Sequence, residues 1–163
     1  MIALVRVDNR LIHGQVVEAW LPFLHASRVL VADDEAAANP LTRAAMGLAV
    51  PASVKVEIAS LARADFAAAQ AGPERTLVLV RDVQDAVRAR AQGLAYGALN
   101  VGNVHFSSGR VQVSPSVFLA LAELEALLQL AEAGVQVELR AVPKDRPMPL
   151  EDVEARLAVP RVR

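Results

Sequence analysis

The 163-residue sequence contains no cysteine. That excludes disulfides, thiolate metal sites, iron–sulfur clusters and a cysteine nucleophile. An excess of charge is also missing: 17 Lys and Arg face 18 Asp and Glu, a formal net charge of −1. A chain that gripped nucleic acid or an acidic membrane through a basic face would show it in this balance, so no nucleic-acid partner is expected. Long apolar runs are absent as well. The hydrophobic stretches are short or broken by charge, and Met1 leads directly into Ile2-Ala3-Leu4-Val5 without the basic segment or cleavage site of a signal peptide. The expectation is a soluble, cytoplasmic protein.

What is present is a chain 54% hydrophobic and 21% charged, of a length suited to one core, so residues 1–163 are expected to form a single domain. Short β-branched runs alternate with alanine-rich helical patterns. The pattern predicts strands over 2–7, 29–32, 54–58, 76–80, 98–106 and 135–142. It predicts helices over 14–23, 34–50, 61–71, 82–92, 114–133 and 150–157. On the second helix, Leu41, Ala45, Met46 and Leu48 are expected to form a buried stripe. Ser107-Ser108-Gly109 reads as a tight turn that returns the chain as a hairpin over 110–113. Together these select an α/β fold: an open, doubly wound, mainly parallel sheet with helices on both faces and one antiparallel hairpin strand. In such sheets ligands bind beyond the carboxyl ends of the strands.

The loop after the first strand carries the most chemistry: Arg6-Val7-Asp8-Asn9-Arg10-Leu11-Ile12-His13-Gly14-Gln15-Val16. A helix N-terminus offers unpaired N–H groups to an anion. Gly14 permits close backbone approach, and Arg10 can fork onto a phosphate. His13 is a nucleophile near neutral pH, and Asp8 or a backbone carbonyl could fix its tautomer. Taken singly, each residue has a bland reading, with His13 a hydrogen-bonded loop residue and the arginines ion-pair partners. The signal lies in the cluster.

Asp33-Asp34-Glu35 could supply oxygen ligands to a cation. Its plainer reading has Asp34 as a helix N-cap and Glu35 in the first turn, with Asp33 given no local role. Gly97 and Gly102 match the glycines of a P-loop, but Asn103-Val104 stand where Lys and Ser/Thr are required. No GxGxxG, HExxH, GxSxG or zinc spacing occurs, so no cofactor and no metal are expected. His25 is expected to cap the first helix or remain solvated, His105 to be structural, and Trp20 to pack in the core.

The run Asp8-Asn9-Arg10-Leu11-Ile12-His13-Gly14-Gln15-Val16 resembles the phosphorylation-site signature of the IIB component of bacterial sugar phosphotransferase systems, in the mannose/fructose/sorbose family. Residues 31–35, 99–102 and 140–150 resemble further family segments, and Asn103 stands where many relatives have a second glycine. The resemblance implies a protein-phosphohistidine–sugar phosphotransferase. His13 would take a phosphoryl group on Nδ1 from a histidine of a IIA protein and pass it to a sugar held by membrane subunits IIC and IID. It implies that Arg10 stabilises the moving group, and that Arg6, Asp8, Asn9, Gly14 and Gln15 bind or orient it. It places the chain in the cytoplasm, at the inner face of the membrane when docked, and is compatible with a homodimer. Two rival readings are a phosphorylatable regulatory protein without a transporter and an α/β module that merely binds phosphate or a nucleotide.

Overall fold

The structure is a computed structural model that describes residues 1–162; Arg163, the last residue of the expected domain, lies outside them. The strands are β1 (Ile2–Asp8), β2 (Arg28–Ala32), β3 (Lys55–Ala59), β4 (Thr76–Val80), β5 (Ala98–Asn103), β6 (Val111–Ser114), β7 (Val117–Leu119), β8 (Gln136–Leu139) and β9 (Met148–Pro149). The helices are α1 (Leu21–Leu24), α2 (Asp34–Ala38), α3 (Pro40–Ala49), α4 (Phe66–Ala71), α5 (Val83–Ala91), α6 (Leu121–Glu132) and α7 (Leu150–Val162), with a π-helical turn, Val16–Trp20, leading into α1.

Seven strands make one sheet in the order β3-β2-β4-β1-β5-β8-β9. All neighbours pair in parallel except β8 with β9. Successive strand residues point to opposite faces, and the core divides accordingly. Val5, Val7, Leu30, Ala32, Val78 and Val80 pack beneath α4, α5, α6 and α7. Val29, Val31, Leu77 and Leu79 pack beneath Val16, Trp20, Leu21 and Ala36 on the other face. Each valine or leucine among them, fully buried, contributes about 1.5–3 kcal/mol. A strand covered on both faces must be apolar throughout, which is why Thr76–Val80 reads as an unbroken run.

The expected architecture holds, with its boundaries redrawn by proline and polar chemistry. The helix expected over 34–50 is broken: Pro40 has no N–H with which to continue it, and the Asn39 side chain caps the next helix by accepting from Thr42 N–H at 3.1 Å. Its expected buried stripe is not buried, for Leu41 is 79% and Leu48 87% exposed, and α3 contains no buried residue. The helix expected over 61–71 begins only at Phe66, capped by Asp65.

The antiparallel hairpin is made by other residues than expected. Residues 107–110 do form a turn, closed by Arg110 N–H to Ser107 carbonyl at 3.0 Å, but its flanks do not pair with each other. Instead β6 pairs with β7 around Pro115-Ser116, so Ser114-Pro115 opens a turn and not the long helix, which starts at Leu121. The antiparallel strand of the main sheet is β9, and the strands expected to run to 106 and 142 end at Asn103 and Leu139.

Candidate active site

Strand β1 lies between β4 and β5. The chain runs from β4 to β5 across it, so the carboxyl end of β1 sits at a crevice between crossovers of opposite sense. Beyond Asp8 the backbone turns sharply. Leu11 N–H donates to Asp8 carbonyl at 3.0 Å, and Arg10 N–H donates to Asp8 Oδ1 at 2.9 Å. Leu11 closes the turn at φ 58°, a left-handed conformation that costs a leucine about 1–2 kcal/mol. Burial of the Leu11 side chain against Val16 and Trp20 holds it there.

Arg6 is wholly buried on the face covered by the first helix. Its Nε and Nη2 donate to Asp8 Oδ2 at 3.1 and 3.0 Å. Nη1 donates to Asn100 Oδ1 at 2.6 Å and to Arg140 carbonyl at 3.0 Å, and Nη2 also donates to Ala141 carbonyl at 2.9 Å. Each of the five N–H groups of a guanidinium thus has an acceptor. The group also lies 5.0 Å from the Trp20 ring centroid and fills space left by Gly102, where a Cβ would fall 2.0 Å from Arg6 Cζ. No donor of Arg6 remains for a phosphate. It acts on the loop only through Asp8.

Asp8 Oδ2 collects further donors: Asn103 Nδ2 at 2.9 Å and His13 Nε2 at 2.9 Å. Burial alone would raise the Asp8 carboxyl pKa, but the hydrogen bonds from His13 and Asn103 and the charge of Arg6 outweigh it and hold the pKa below the ordinary carboxylate range. An ionised Asp8 can only accept, so the proton in the His13 contact sits on Nε2 and the lone pair on Nδ1. Nδ1 has no hydrogen-bond partner among the described residues. His13 carries its ring, 14% exposed, immediately before the first helical turn, where its carbonyl accepts Val17 N–H at 3.0 Å. The N–H groups of Gly14, Gln15 and Val16 are therefore free of intrahelical partners.

The remaining expected residues divide between positioning and lining. Asn9 bridges strand ends: Nδ2 donates to Arg81 carbonyl at 3.2 Å, Oδ1 accepts His105 N–H, and its own N–H reaches Asn103 carbonyl at 3.0 Å. Gln15 Oε1 accepts from Asn103 Nδ2 at 3.1 Å. Arg10 is exposed, with no salt bridge among the described residues. Arg10, His13, Gly14 and Gln15 line an open groove of about 840 Å³, together with Glu18, Ala19 and Phe23 from the first helical segment and Val142, Pro143 and Lys144 from the segment after β8. A Cβ on Gly14 would meet no protein atom within 4 Å, so the approach from the groove stays open.

Residues 2–159 match the family described as PTS system sorbose subfamily IIB component. The chain belongs to this family. Among its IIB relatives, the PTS system sorbose-specific EIIB component of Klebsiella pneumoniae is 30% identical over 146 residues, 88% of this chain and 89% of that protein. The PTS system mannose-specific EIIAB component of Escherichia coli strain K12 is 31% identical over 160 residues, 96% of this chain; the chain spans 49% of that longer relative. The crystal structure of the IIBSor domain of the Klebsiella pneumoniae sorbose permease superposes with a TM-score of 0.86 at 28% identity, covering 94% of this chain and 96% of that one.

Within this IIB fold the other expectations resolve by geometry. Asp33, not Asp34, is the N-cap of α2, accepting Ala36 N–H at 2.9 Å, and it also takes a forked pair from Arg81 at 3.0 and 2.8 Å. Asp34 instead receives Leu61 N–H at 2.9 Å. Among the described residues no group of three or more His, Asp or Glu could hold a metal ion, and none of the helices is long and apolar enough to cross a membrane. His25 ends α1 in a left-handed conformation at φ 50°, and the exposed His105 meets Asn9 only through its backbone. Trp20 is buried, as expected, yet its indole N–H donates to Ala141 carbonyl at 2.9 Å. The π turn that sets its angle, closed by Leu21 N–H to Val16 carbonyl, leaves no mark in hydrophobic periodicity. Asn103 was missed as a site residue. Its signal was a polar side chain closing a buried strand, ALNVGN, at the carboxyl edge.

Proposed function

We propose that this chain is a phosphohistidine carrier of a sugar phosphotransferase system, with His13 accepting the phosphoryl group on Nδ1. The observation that carries this reading is the 2.9 Å contact between His13 Nε2 and the buried Asp8 carboxylate, which leaves the nucleophilic lone pair on the nitrogen without a partner. Attack by Nδ1 on a phosphohistidine of a IIA donor forms one N–P bond and breaks another. The donor ring keeps the released electron pair, and His13 keeps its proton on Nε2, so no proton has to cross. Passage to a sugar hydroxyl on IIC and IID forms an O–P bond, returns the pair to Nδ1, and releases the hydroxyl proton to a base.

Such transfer asks for positioning and charge stabilisation rather than covalent help. Arg10, exposed in the same groove as His13, supplies a planar fork for the phosphoryl oxygens. The free N–H groups of the first helical turn supply further donors. Asp8, and through it Arg6 and Asn103, fix the tautomer; Asn9 and Gln15 hold the loop to its neighbours. A nucleophile on an open groove suits a carrier that meets two partners in turn, working at the cytoplasmic face of the membrane. The mannose- and sorbose-named relatives are equally distant, which favours a domain that carries phosphate and leaves the choice of sugar to the membrane subunits.

The test is intact mass after incubation with a phosphorylated IIA donor. The wild-type protein is expected to gain one acid-labile phosphate. His13→Ala should gain none while keeping a cooperative thermal transition, and His25→Gln and His105→Gln should gain it as wild type does. Phosphate uptake by His13→Ala at the wild-type rate would refute the assignment.

A further inference from the structure

The segment after β8 is pinned to the interior at several points. Its backbone carbonyls at Arg140 and Ala141 receive Arg6, and Ala141 also receives the Trp20 indole. The Arg140 guanidinium lies 5.3 Å from the Trp20 ring centroid and 5.8 Å from that of Phe23, and donates to Pro143 carbonyl at 3.3 Å. From that root the chain makes a turn closed by Asp145 N–H to Val142 carbonyl at 3.1 Å, with Pro143 at its second position. Proline pre-sets φ at that position, so the turn is stiff. Lys144 is the next residue. Its exposed side chain lines the same groove as His13 and Arg10, and it makes no salt bridge among the described residues.

The charge on the groove calls for such a group. Asp8 is balanced by Arg6 beneath the surface. The remaining charged side chains lining the groove are Arg10, Lys144 and Glu18. A phosphoryl group on His13 brings about two negative charges at neutral pH. With Glu18 counted, Arg10 alone would leave the phosphorylated groove about two charges negative, and Lys144 halves that excess.

We propose that Lys144 is a second phosphoryl-contacting residue, an ammonium in the groove shared with His13 and Arg10 that reaches the phosphoryl group carried on His13. The proposal rests on His13 being the carrier. Lys144 forms no covalent bond and moves no proton; its ammonium donates hydrogen bonds to the phosphoryl oxygens.

The experiment uses the full chain and phosphoramidate, a small phosphoryl donor that needs no docking surface, with uptake followed by 31P NMR. Lys144→Gln is expected to slow phosphorylation of His13 about tenfold, the worth of one hydrogen bond to a charged group, and to shift the phosphohistidine resonance. Lys144→Arg should restore most of the rate. Arg146→Gln, an exposed neighbour outside the groove, should behave as wild type. Raising ionic strength should narrow the gap between Lys144→Gln and wild type. If His13 is phosphorylated in Lys144→Gln at the wild-type rate and with the wild-type 31P shift, or if Arg146→Gln is equally slow, the Lys144 proposal fails and the carrier reading stands. If wild-type protein takes no phosphate on His13, both fail.

Discussion

The guanidinium of Arg6 occupies the volume that a side chain on residue 102 would need. A Cβ built on Gly102 falls 2.0 Å from Arg6 Cζ and 2.2 Å from both terminal nitrogens, and all of these belong to a buried, fully hydrogen-bonded group that has nowhere to move. Gly102, half of what looked like a phosphate-loop spacing, is there to admit an arginine.

Gly102→Ala should therefore act as an Arg6 variant. Displacing the guanidinium leaves Asp8 buried without its main counter-charge, and breaking a buried pair costs about 3–5 kcal/mol. Urea unfolding should show a loss of that size. Phosphate uptake on His13 should fall with it under conditions where the variant remains folded. A variant of wild-type stability would mean that the Arg6 network can be rebuilt elsewhere.

Asp8→Asn keeps the shape of the side chain and removes its charge. An amide can present an N–H to His13 Nε2, which would move the proton to Nδ1 and block the nucleophile. In a comparable histidine–aspartate arrangement that tautomer error lowers turnover about 10⁴-fold. The expected result is loss of uptake by two or more orders of magnitude, together with exchanged 15N shifts of the two ring nitrogens. Unchanged ring shifts would detach Asp8 from tautomer control.

Acid should expose a second pair. Burial tends to raise the Asp33 pKa, but the hydrogen bonds from Arg81 and from Ala36 N–H prevail and hold it below its ordinary value. A carboxylate depressed in the folded state stabilises above its unfolded pKa, about 3.9, and that contribution is lost as pH falls through the folded pKa. Asp33→Asn keeps an N-cap acceptor while removing the charge. Plotted against pH, its urea midpoint should fall less steeply than wild type below about pH 4, with phosphate uptake at neutral pH unchanged. An acid limb parallel to the wild-type limb would count against the pair.

The sequence made the sheet legible because β1, β2 and β4 are buried on both faces, and burial on both faces forces apolar runs that no other element resembles. It made the candidate loop after β1 legible because charged residues concentrate where a buried strand ends. It misled where one signal serves two structures. Ser-Pro before a run of apolar residues marks a helix start as well as a turn, and only the pairing of Val117 with Ser114 decides between them. Leu41 and Leu48 follow helical spacing without a partner to bury them. The partners of Asp8 were out of reach for another reason: Asn103 is 95 residues away in sequence, and no local pattern reports on contacts made across strands.

That distance has a consequence for when the protein becomes competent. His13 is near the start of the chain, yet the Asp8 oxygen it contacts is shared with Asn103 from β5 and with an arginine whose last acceptors are the carbonyls of Arg140 and Ala141. During synthesis the histidine is made before β8 and the segment behind it, and the hydrogen-bond network beneath it is complete only once they have emerged and docked. A chain cut before residue 140 would lack two acceptors of Arg6 and the Val142, Pro143 and Lys144 lining of the groove.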